Sequence, residues 1–136
     1  MKDRSTLRER FLRDHLSVQL GNIASNLARI AYFITREMDQ EDIAELFDES
    51  KVMVEWAAPS ATLEQQFTLV ELQRWLVRSR FGWTDISTDA IQRANVVNKA
   101  QQWSDQLIAI SGLLDEDPLP TANQPENPVS LVATFS

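Results

Sequence analysis

Two stretches of the chain carry the same step pattern. Leu16, Leu20, Ile23, Leu27, Ile30 and Ile34 recur at intervals of 4, 3, 4, 3 and 4 residues, and Val96, Ala100, Trp103, Leu107, Ile110 and Leu114 repeat those intervals. This spacing lines up one stripe of an α-helix and does not fit a strand, whose side chains alternate with a period of two. Two such seams predict two long helices packed against each other as walls of one domain. A length of 136 residues suits a single domain that buries roughly two-thirds of its unfolded surface.

The first seam does not read as a membrane span. Asn22, Ser25, Asn26 and Arg29 interrupt it, and Arg36 and Glu37 follow closely. A spanning helix needs about 20 apolar residues with few or no charges. Beside the seam runs a stripe of small residues, Gly21, Ala24, Ala28 and Ala31. Glycine inside a helix costs about 1 kcal/mol against alanine, so Gly21 points to close approach of a neighbouring helix.

Punctuation divides the rest of the chain. The first helix is predicted from Thr6 to Arg36, opened by a Thr6–Glu9 capping box. Asp39 is placed to cap a second helix whose buried face is Ile43, Leu46, Phe47, Val54 and Ala57. Pro59 stops that helix near Ala58. Thr62 and Gln65 form a capping box for a third helix, which ends near Phe81 with a left-handed Gly82. Ser87 is placed to cap the fourth. The expected fold is therefore all-α, an up-and-down four-helix bundle with two long and two shorter helices over residues 1–116. Four of the five prolines fall in DEDPLPTANQPENP, so residues 117–136 are predicted as an extended Pro-rich tail. The tail ends in the apolar run VSLVATFS, which points to docking through residues 129–135.

Helix lengths imply an overhang. At about 1.5 Å per residue the outer helices would reach roughly 40–45 Å and the inner pair roughly 30 Å. The exposed end would carry Leu7, Phe11, Leu12, Leu107, Ile110, Leu113 and Leu114. A large apolar patch of this kind calls for a cover, either the tail or a second copy of the chain. The third helix adds a second surface. Leu63, Phe67, Val70 and Val77 share one face, while Leu69, Leu72, Trp75 and Leu76 occupy much of the other. A surface helix usually has one apolar stripe, so two stripes point to contacts on both sides. Arg74, Trp75, Arg78 and Trp83 combine the residue types most enriched in binding hot spots and form the candidate partner site.

Charge and composition restrict the chemistry. The net charge of −7 argues against nucleic acid as the main ligand. The distribution is uneven. Residues 1–15 carry five basic against three acidic side chains, a net of +2, and residues 37–55 carry eight acidic against one basic, a net of −7. Complementary surfaces of this sort steer a partner or a second copy. With no cysteine there is no disulfide and no thiolate chemistry. The three glycines, Gly21, Gly82 and Gly112, make no phosphate-cradling loop. Glu41, Glu45 and Glu49 align on one helix face and read as solvated surface, so no metal and no cofactor is expected. No apolar run follows Met1 in KDRSTLRERF, so no signal peptide, no membrane association and a cytoplasmic location are the expectation.

One motif suggests an enzyme. RERFLRDH places Arg8 and Arg10 before His15 with six and four residues between. Over these eight residues the chain resembles the arginine–histidine motif of HEPN-domain ribonucleases. The resemblance implies a dimeric helical bundle that cuts RNA, with His15 as general acid–base and an arginine holding phosphate. The leading expectation remains a non-enzymatic protein–protein interaction module that forms a homodimer or binds another protein. An Arg/His ribonuclease and a small-molecule sensor bundle are the alternatives.

Overall fold

The computed structural model describes residues 3–113, and all of its regular structure there is helical. The predicted tail, its docking segment 129–135 and Leu114 lie outside the described residues. Six α-helices follow in order: α1 (Ser5–Arg13), α2 (Leu16–Thr35), α3 (Gln40–Ala57), α4 (Leu63–Phe81), α5 (Trp83–Ile86) and α6 (Ala90–Ser111). A 3₁₀ turn, Ala58–Ser60, carries Pro59 and closes α3.

The two seams meet. α2 packs more extensively on α6 than on any other helix, and next on α3. Leu20, Ile23, Leu27 and Ile30 of α2 are fully buried, as are Ala100 and Leu107 of α6. Burying such aliphatic side chains contributes about 1.5–3 kcal/mol each. Small residues set the spacing. The Ser104 hydroxyl donates to the Ala24 carbonyl at 2.9 Å, a bond between two helix backbones' neighbourhoods that larger residues would forbid. A Cβ on Gly21 would stand 2.8 Å from Cδ1 of Leu113, so the glycine is where the chain beyond α6 comes down on α2.

The first helix does not run unbroken. Asp14 and His15 are both extended, with ψ near 153° and 155°, and they divide it into α1 and α2. The buried Gln19 side chain donates to the Asp14 carbonyl at 3.0 Å and holds the break. The break lets α1 settle on α3. Phe11 packs on Trp56 with ring centroids 5.7 Å apart, and Arg4 pairs with Glu45 at 2.7 Å. The Thr6–Glu9 box is not used either. Instead the Asp3 carboxylate accepts from the Ser5 hydroxyl and amide, which holds it below its ordinary pKa.

Other boundaries follow local chemistry. Asp39 accepts from the Glu41 amide at 2.7 Å, with Glu41 and Asp42 in the positive first turn of α3. Thr62 and Gln65 close a reciprocal capping box at 3.2 and 2.9 Å. α2 ends in a Schellman motif, with Glu37 at φ 54° in the left-handed region that glycine normally fills. Gly82 does not make the expected left-handed stop. Its φ is −90°, and the chain passes directly into α5. Ser87 does not cap α6, because its hydroxyl donates back to the Thr84 carbonyl.

Asp89 caps α6 instead, accepting from the amides of Ile91 and Gln92. The Gln92 amide first, and that of Ile91 next, hold its carboxyl below the ordinary aspartate value. A depressed pKa contributes stability above the unfolded value of about 3.9, and that stability is lost as pH falls below it. An Asp89→Asn variant should accordingly show a shallower loss of thermal stability between about pH 5 and pH 2 than the parent, measured by circular dichroism.

Candidate protein-interaction surface

α4 sits at the edge of the assembly. It packs on α3 and only marginally on α6. Its inner face carries Leu69, Leu72, Trp75, Leu76 and Ser79, all buried. Trp75 and Trp83 both pack on the fully buried Phe47, with centroid separations of 6.1 and 5.6 Å. These three rings anchor α4 and α5 to α3.

The outer face is apolar as well and has no cover among the described residues. Leu63 is 73% exposed, Phe67 69% and Phe81 91%, with Val70 and Val77 about half exposed. With Arg74 these positions step by 4, 3, 4, 3 and 4, the interval set of the α2 and α6 seams. α4 thus presents a third heptad seam, and this one faces outward. Two shallow grooves flank it. One of about 300 Å³ runs between α3 and α4 past Val54, Gln66 and Val70, and one of about 410 Å³ lies over Val70, Arg74 and Val77. Both include Gln73, which donates to the Lys51 carbonyl at 3.0 Å.

Charges are sorted along the same helix. Glu64 and Glu71 occupy its first half, and Arg74, Arg78 and Arg80 its second. Arg80 is committed to Asp48 of α3 at 3.1 Å, and Arg74 leans on Glu71 at 3.6 Å. Glu64 and Arg78 are exposed and have no ionic partner among the described residues.

The candidate partner site of Arg74, Trp75, Arg78 and Trp83 is split by this geometry. The two arginines face outward, but both tryptophans are core residues and cannot serve as surface anchors. Trp75 follows Arg74 by one residue, about 100° around a helix, which carries it onto the inner face with Leu72 and Ser79. The overhang residues do not form one patch. Phe11 and Leu107 are buried, Leu7, Ile110 and Leu113 are half-buried, and Leu12 is exposed. The reason is length: α2, α3, α4 and α6 have 20, 18, 19 and 22 residues, and α1 folds onto α3 rather than projecting. Phe81 is the last residue of α4, and its position at the helix end hides its surface role in the sequence. Its place in the 4, 3, 4, 3, 4 series is the signal that identifies it.

The arginine–histidine motif falls at the α1–α2 break. His15 is exposed there, at the first residue before α2. Arg10 borders a groove of about 350 Å³ with Asp14, Asn26, Arg29 and Glu49, and His15 does not line it. Three of the polar side chains lining that groove bond to one another. Asn26 donates to Glu49 at 2.9 Å and accepts from Arg29 at 3.1 Å. Among the described residues no cluster of three or more His, Cys, Asp or Glu could hold a metal ion. No described helix is long and apolar enough to cross a membrane.

No protein-family model matches the chain, and comparison with curated proteins and with solved structures returns no match.

Proposed function

We propose that the chain is a non-enzymatic protein–protein interaction module that works as a homodimer. In this reading α2, α3, α4 and α6 form an up-and-down four-helix bundle, and the outer face of α4 is its contact surface. The observation that carries the reading is the outward heptad seam, apolar from Leu63 to Phe81 and broken only by Arg74. Monomers rarely leave a contiguous stripe of large apolar side chains to water, and such stripes mark association sites. Sedimentation equilibrium at micromolar concentration should give twice the chain mass of 15.5 kDa. A single species at 15.5 kDa throughout that range overturns the reading.

A further inference from the structure

We infer that two copies of the chain pair α4 against α4 in antiparallel fashion, with Leu63 beside the partner's Phe81 and Glu64 within reach of the partner's Arg78. This rests on the homodimer reading and adds its geometry. In heptad terms Leu63, Val70 and Val77 are d positions, Phe67, Arg74 and Phe81 are a positions, and Glu64, Glu71 and Arg78 are e positions. Antiparallel pairing sets a against d. The layers become Leu63 with the partner's Phe81, Phe67 with the partner's Val77, and Val70 with the partner's Arg74. Leu63, Phe67, Val77 and Phe81 then each meet an apolar side chain, Val70 packs on the aliphatic stem of the partner's Arg74, and the ends of the two helices coincide.

Charge decides the direction and the occupant. Antiparallel pairing brings the acidic half of one α4 over the basic half of the other. Glu64 and Arg78, which have no ionic partner among the described residues, satisfy each other twice, once at each end. At the centre the same register sets Glu71 beside the partner's Glu71, and the Arg74 that pairs with each at 3.6 Å offsets that repulsion. Parallel pairing would stack Arg74 on the partner's Arg74 and leave Glu71 and Arg78 facing glutamines, Gln66 and Gln73. A surface complementary to itself under a two-fold rotation is what a symmetric dimer requires, and it overcomes the repulsion expected between chains of net charge −7.

The absence of cysteine makes a direct test possible. Leu63→Cys and Phe81→Cys replace exposed side chains and leave the core untouched. After mild oxidation the mixture of the two variants should give a cross-linked dimer roughly fivefold more abundant than either variant alone, because only the mixed pair brings the thiols within disulfide range. Strong cross-linking of Leu63→Cys with itself overturns the antiparallel geometry and leaves the dimer standing. A dimeric mass with no cross-link in any combination also overturns it and moves the interface off α4. A monomeric mass for the parent chain overturns both this inference and the homodimer reading. A charge exchange gives a second readout. Glu64→Arg and Arg78→Glu should each weaken self-association about tenfold, and mixing them should restore it, as complementary pairs form at both ends. Failure of mixing to restore it counts against the pairing.

Discussion

Replacing Phe67 and Val77 together by glutamate should raise the dissociation constant of the dimer by at least about a hundredfold while leaving the monomer folded. Both side chains lie on the outer seam, exposed or half exposed, and face each other across the proposed pairing. In a symmetric interface each substitution occurs twice, so four apolar contacts are replaced by four desolvated carboxylates. Loss of about 0.7 kcal/mol at each site already amounts to roughly 2.7 kcal/mol, a hundredfold change. Burial of a full valine is worth about twice that per site, so the estimate is conservative. The double variant should sediment as a monomer and retain the helical signal and melting temperature of the dilute parent. An unchanged dimer mass would exclude α4 from the interface.

Phe47→Ala should have the largest effect on folding, a loss of about 3–5 kcal/mol, as expected for a buried aromatic ring. Phe47 is fully buried and touches both Trp75 and Trp83. Removing it empties the junction of α3, α4 and α5 and frees the two indoles. The expected loss is a substantial fraction of the roughly 5–15 kcal/mol that stabilises a domain. Denaturant titration followed by tryptophan emission should show a lower midpoint and a red-shifted folded baseline. A stability change below about 1 kcal/mol would mean that the ring does not organise this junction.

The elements legible in the sequence are those set by neighbours along the chain. The α2 and α6 seams show through periodicity alone. The caps at Asp39 and at Thr62–Gln65 form from groups two or three residues apart, so local sequence suffices to find them. The buried face of α3, from Ile43 to Ala57, is readable for the same reason. The break at Asp14–His15 is not, because nothing in those two residues forbids a helix. It is set by what α1 reaches across space, Trp56 through Phe11 and Glu45 through Arg4. At the start of α6, Ser87 and Asp89 compete as caps, and Asp89 prevails because its carboxylate reaches two amides. On α4 the two apolar stripes are both visible in the sequence. Which one faces the core depends on α3, and that choice sends Trp75 inward and leaves Phe67 and Phe81 outside.

The division at Asp14–His15 also grades the molecule's resistance to opening. A nine-residue helix is too short to persist alone in water, since nucleation is costly and few bonds follow it. α1 therefore keeps its helicity only while Phe11 and Arg4 hold it to α3. It can lift away without melting the α2–α6 pair, whose buried seam is independent of it. The chain thus has a detachable leading turn on a cooperative body, and its amide protons would exchange in two tiers, those of Ser5–Arg13 through local release and those of α2 and α6 through global unfolding.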